Sequence, residues 1–132
     1  MKCKEWKISS TIIEPYDLVG EVVDLKAVMI FFGSDGKKYR KRVHLDTKSD
    51  VTIIPLSFAE KLGLKYEAKA VVNDSKGYLS RVRVKIGENE FITTVFCEQE
   101  GKSYILGMKT IQEFSKVEID FENKLLKFYT VN

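Results

Sequence analysis

What most constrains this chain is a two-residue alternation of apolar and polar side chains, repeated in short runs that each stop at turn-forming residues. The runs cover 22–32, 38–45, 51–54, 79–86, 91–97, 117–121 and 125–131 and are rich in β-branched and aromatic residues. Between them stand Gly33-Ser34-Asp35-Gly36, Asn73-Asp74-Ser75-Lys76-Gly77, Gly87-Glu88-Asn89 and Glu122-Asn123-Lys124, residues that tolerate positive φ or make local side-chain hydrogen bonds. Successive side chains of a strand point to opposite faces, so this pattern builds strands with one buried face. The expected fold is mainly β and antiparallel, a small closed or sandwiched domain. Only 55–63, with proline near its start and glycine just past its end, and 107–114, with Ile111 and Phe114 three apart, read as short helices.

A chain of 132 residues fits one domain spanning 1–132, with about 1–19 as an N-terminal extension or edge strand. Hydrophobic residues make up 44% and charged residues 31%, with two prolines, which excludes a disordered or repeat-built chain. The net charge of +3 arises from 22 basic and 19 acidic residues, a mixed balance from which no nucleic-acid partner is expected. No apolar stretch is long enough for a membrane span, and residues 1–7 lack the apolar core of a signal peptide, so a cytoplasmic location is expected. Cys3 and Cys97 are too few for a disulfide framework, form no CxxC, and have only His44 as an imidazole companion. No metal and no cofactor are expected, and GxGxxG, Walker, HExxH and GxSxG patterns are missing.

Residues 44–55, His-Leu-Asp-Thr-Lys-Ser-Asp-Val-Thr-Ile-Ile-Pro, place a carboxylate, hydroxyls and small polar residues in a turn between two apolar strands. Here the sequence resembles the retropepsin-like aspartic peptidases, whose signature is an apolar strand, Asp-Thr/Ser-Gly-Ala, a polar link, a second apolar strand and a short helix. Asp46-Thr47-Lys48-Ser49 occupies the signature position. Downstream, Tyr104-Ile105-Leu106-Gly107-Met108 resembles the family's apolar-apolar-Gly turn, followed by a helix and a terminal hairpin. Between the two motifs, 69–86 reads as a hairpin turning near 73–77, where the family carries its flap.

The resemblance implies a closed antiparallel β barrel of the retropepsin type with one or two short helices. It also implies an aspartic endopeptidase acting on peptide or protein substrates. That mechanism needs two carboxylates about 3 Å apart sharing one proton. The chain supplies one such loop, so the dyad requires a homodimer with Asp46 from each protomer. A homodimer is also expected because the apolar terminal strand, 125–131, would otherwise leave an edge uncovered. By resemblance Asp46 is base and acid in turn, Thr47 braces the loop, and Ser49 packs beneath it. His44, Lys48, Asp50 and the flap residues Val72, Asn73 and Gly77 are the implied substrate-binding positions.

The chain departs from the family pattern at two places. Lys48 stands where the family has glycine, adding a side chain and, if φ there were positive, backbone strain. Its ammonium, doubled by symmetry, would favour ionisation of both carboxylates and deplete the singly protonated state, so activity is expected to be weak or lost. Met108-Lys109 replaces the Arg-Asp/Asn pair that braces the loop from behind. A catalytically inactive peptide-binding or dimerisation module on the same fold is the alternative reading.

Three further clusters have plainer explanations. His44 shares a strand face with Asp46, yet adjacent same-face side chains diverge, which makes a pocket-lining or exposed residue the better account. In the basic run 37–42, alternation sends Lys38, Arg40 and Arg42 to one face and Tyr39 and Lys41 to the other, as on a solvated hairpin. Glu118, Asp120 and Glu122 alternate with apolar residues as a polar strand face would.

Overall fold

The computed structural model describes residues 2–7, 9–12 and 21–130. Among these the chain forms β1 (Lys2–Lys7), β2 (Ser9–Ile12), β3 (Glu21–Asp24), β4 (Lys26–Phe32), β5 (Lys38–Leu45), β6 (Thr52–Pro55), α1 (Leu56–Leu62), β7 (Tyr66–Val72), β8 (Ser75–Ile86), β9 (Asn89–Glu98), β10 (Ile105–Leu106), α2 (Met108–Ile111), β11 (Lys116–Asp120) and β12 (Leu125–Thr130). Every β-rich run therefore forms a strand. The run expected over 22–32 divides at Leu25, whose carbonyl accepts from Leu45 N–H (2.9 Å) as the chain passes from pairing with β2 to pairing with β5. Val131 lies outside the described residues, as do 13–20 of the expected extension.

The main sheet runs β4-β5-β10-β6-β9-β8-β7, and a further pairing of β4 with β8 returns it on itself. The sheet is mainly antiparallel, as expected, with two parallel pairings, β10 with β5 and β6 with β9. Alternation along β4 buries Ala27, Met29 and Phe31 and leaves Val28, Ile30 and Phe32 half-buried on the outer face. Inside, Phe58 of α1 meets Phe31 and Tyr104 edge to face, both at 5.3 Å between ring centres.

α1 follows Pro55, held in an extended conformation at its N-cap, and ends at Gly63, whose φ of 72° is the left-handed conformation glycine adopts without strain. α2 is shorter than the expected 107–114 helix: beyond Ile111 the bonds tighten to Thr110 O with Glu113 N and Ile111 O with Phe114 N. Phe114 remains buried between the rings of Phe91 and Phe128.

The second sheet has the order β1-β12-β11. The C-terminal strand is thus central, paired on both sides, and the expectation that it leaves an edge to be covered is corrected: β1 supplies that cover from within the chain. No helix among the described residues is long and apolar enough to cross a membrane.

Cys97 on β9 is fully buried, and burial pushes its thiol up to about 11, while Cys3 is exposed. A thiol reagent at about pH 8 should therefore label one cysteine in the native protein and both in urea, since only the thiolate reacts. Two fast equivalents in the native state would contradict the packing of β9.

Candidate active site

Asp46 lies just past the end of β5, in the turn that leads to β6. It is half-buried, Thr47, Lys48 and Asp50 are exposed, and Ser49 is buried. The Asp46 carboxylate accepts from Lys48 N–H through Oδ1 at 2.9 Å, and Ser49 N–H donates to Asp46 O at 3.2 Å. This is an Asx turn, with the side chain substituting for a backbone carbonyl. Ser49 Oγ donates to Val51 O at 2.8 Å, so its hydroxyl is satisfied beneath the loop.

The turn is held from below by the segment around β10. Asp46 N–H donates to Leu106 O (3.1 Å), Met108 N–H to Ser49 O (2.8 Å) and Lys109 N–H to Asp50 O (2.9 Å). Met108 and Lys109 thus brace the loop through their backbone, where the family pattern uses side chains. Gly107 lies between these contacts, and a Cβ there would collide with the Val51 carbonyl. Its N–H donates to Thr52 Oγ1 at 3.1 Å. Thr52 and Thr110 hydroxyls are 2.6 Å apart, and Thr93 lies 2.7 Å from Thr110, so three buried hydroxyls join β6, β9 and α2 under the loop.

Lys48 does not carry the strain its position suggested. Among the described residues the non-glycine positions with positive φ are Asn73, Asp74 and Lys124. The loop accepts a side chain at 48 without leaving ordinary backbone geometry, which leaves bulk and charge as the consequences of the lysine.

The remaining sequence candidates are dispersed. His44 is exposed, and its Nδ1 lies 3.3 Å from Asp24 Oδ1, with Lys26 Nζ 3.0 Å from Oδ2 of the same carboxylate. Its side-chain partner is therefore Asp24. Val72 closes the flap hairpin opposite Ser75, and the turn is only Asn73-Asp74, with φ of 49° and 65°. Gly77 belongs to β8 and is buried; a Cβ there would collide with the Cys97 carbonyl and lie 2.8 Å from the Phe96 ring. A cavity of about 420 Å³ lies against the hairpin between Val71, Tyr78 and Gln99, and its lining does not include the Asp46 loop.

The acidic residues of β11 make no metal site. The strand ends at Asp120, so Glu122 is not on its face, and Lys127 Nζ lies 3.6 Å from Asp120 and 3.8 Å from Glu118. Hydrogen bonds from the Asn123 side chain and backbone hold the Asp120 carboxyl below its ordinary range. No cluster of three or more metal-ligating side chains exists among the described residues.

The threonine network and Asp24 escaped the sequence reading. One signal was present: Thr52 is the polar member of a run, 52–55, that is buried throughout, and a buried hydroxyl requires partners. Thr110→Val, which leaves two buried hydroxyls short of a partner, should lower stability by about 1–3 kcal/mol in urea denaturation. Gly107→Ala should cost at least as much, because backbone must move. A neutral result for both would mean that the loop is not held from beneath.

No family model matches the chain, and no curated protein matches it by sequence. Solved structures do. A retropepsin-like aspartic protease from Rickettsia conorii superposes with a TM-score of 0.64 at 20% identity, covering 97% of this chain and 93% of that one. The EIAV protease, complexed with an inhibitor, superposes with a TM-score of 0.52 at 16% identity over 74% of this chain and 90% of its own. With β10 threaded between β5 and β6 beneath an Asp-Thr turn, and with these structural neighbours, the chain has the retropepsin-like fold.

Proposed function

We propose that the chain is an aspartic endopeptidase of the retropepsin type, with Asp46 from two protomers forming the catalytic dyad of a homodimer. The observation that carries this reading is the Asp46 turn itself. Its carboxylate stands half-exposed on a loop anchored by Leu106, Met108 and Lys109, with Thr47 exposed beside it and available to a partner loop. Asp46 Oδ2 has no hydrogen bond among the described residues, which suits an oxygen that shares a proton across a two-fold axis. One carboxylate activates water and the other protonates the scissile carbonyl, the roles exchanging as the intermediate collapses.

Substrate would lie extended between the loop floor, with His44, Lys48 and Asp50, and the flap hairpin with Val72 and Asn73. There it pairs as an added strand. Gly77 serves this by letting β8 lie close against β9 at the flap's base. Thiols that remain unpaired at Cys3 and Cys97 suit a reducing cytoplasm.

Lys48 sets the level of activity. In the dimer two ammonium groups would face two carboxylates that must hold one proton between them, and each tenfold shift in protonation corresponds to about 1.4 kcal/mol. The same lysine favours the second reading, a peptide-binding dimer that has lost hydrolysis.

Cleavage of an unstructured polypeptide should be weak in the wild type and fall below detection in Asp46→Asn. Since the backbone at 48 is unstrained, Lys48→Met, which keeps most of the bulk and removes the charge, should raise turnover about tenfold. If only Lys48→Gly restores turnover, bulk is the dominant fault. Sedimentation should show a dimer at tens of micromolar. Peptide binding by the wild type with no cleavage by any Lys48 variant would establish the non-catalytic reading. Cleavage that survives Asp46→Asn would remove the catalytic assignment.

A further inference from the structure

Charge is segregated on the outer face of the barrel in a way the net charge of +3 conceals. The face of β4 turned away from the core carries Val28, Ile30 and Phe32. Cross-strand register sets Arg42 of β5 beside Val28, Arg40 beside Ile30 and Lys38 beside Phe32, and it sets Lys85 of β8 on the other side of Ile30. The Arg83 guanidinium lies 4.4 Å from the centre of the Phe32 ring, and the Lys38 ammonium 5.7 Å from it. An apolar stripe therefore runs between two rows of cations, its steps about 6.7 Å apart along the strand and its rows about 10 Å apart across it.

β1 supplies a wall to this stripe. Trp6 and Lys4 border a cavity of about 570 Å³ that reaches Arg40 and Lys85, and a second of about 290 Å³ shares Trp6 and Val28 with it and reaches Arg42. Arg83 is paired with Glu90 and Lys2 with Glu88. Lys4, Lys38, Arg40, Arg42 and Lys85 have no ion pair among the described residues. A solvated hairpin accounts for the basic residues of β5 alone. It does not account for cations converging on the same stripe from β1 and β8.

We propose that this trough binds single-stranded nucleic acid. Phosphates follow the cationic rows, and bases lie against Val28, Ile30 and the rings of Phe32 and Trp6. An acidic peptide is the poorer fit: β4 is paired on both sides, by β5 and β8, so the floor offers no strand edge for an added peptide. The apolar stripe between the cations instead offers flat contact to bases. The trough excludes the Asp46 loop, and the inference is independent of peptidase activity.

Trp6 is the sole tryptophan, so its fluorescence reports occupancy directly. An oligothymidylate about twelve nucleotides long, titrated at about 50 mM salt, should bind saturably and quench Trp6. The logarithm of the binding constant should fall with that of salt at a slope of about −2 to −3, as three or four phosphates are neutralised. Arg40→Glu with Arg42→Glu should weaken binding at least about tenfold, whereas Lys61→Glu with Lys102→Glu, the same change of charge away from the trough, should weaken it less than about twofold. Arg40→Gln with Arg42→Gln, its fold verified by circular dichroism, should fall between them. The proposal is overturned if the wild type does not bind, or if both glutamate pairs weaken binding equally. It is overturned too if a duplex or an oligoglutamate peptide of the same length binds as tightly.

Discussion

The passage of residues 105–109 beneath the Asp46 turn is the contact on which the rest of the structure depends. Ile105 and Leu106 enter between β5 and β6, parallel to one and antiparallel to the other, and so join two strands that the intervening turn would leave apart. The approach is close enough that only glycine fits at 107. Backbone donors of 108 and 109 then take up the carbonyls of Ser49 and Asp50, which a turn facing solvent would leave to water. The three threonine hydroxyls complete the arrangement in a place where an unpaired polar group would be costly. The Asp46 residue is thus held from below through its N–H and closed onto Lys48 N–H through its carboxylate.

The support rests on backbone atoms, and this explains how the chain departs from the retropepsin pattern while keeping its geometry. The bracing needs no particular side chain at 108 or 109 because the N–H groups supply it, and Met108 packs against the core instead. Position 48 is free to carry lysine because its backbone stays in an ordinary region and its N–H closes the turn onto the Asp46 carboxylate. The turn is therefore kept by the fold, whatever side chain stands at position 48.

Charge placement follows a different logic on the two sheets. In the β1-β12-β11 sheet the acidic residues Glu118 and Asp120 meet Lys127 across the strand pair, so that surface is internally balanced. On the outer face of β4 and β5, Lys38, Arg40 and Arg42 are set beside apolar residues and make no ion pair among the described residues, while Lys26 is paired with Asp24. Balance of this kind is a property of register, and a composition count averages it away.

The period-2 alternation determined the strands, since a run with one apolar face has no other way to bury it, and the turn residues determined where those strands end. The chain's own residues also displayed the Asp-Thr turn, the Ile-Leu-Gly segment and their order, enough to anticipate the fold. Tertiary structure alone decided what those residues meet. That β12 is enclosed on both sides, that His44 turns to Asp24, that Thr93 and Thr110 meet Thr52, and that Lys85 joins Arg40 across Ile30 are all outcomes of long-range pairing. The physical reason is that alternation specifies which face a side chain takes but carries nothing about which strand lies opposite. Partner choice is made by packing among segments distant in sequence, where each pairing constrains the next.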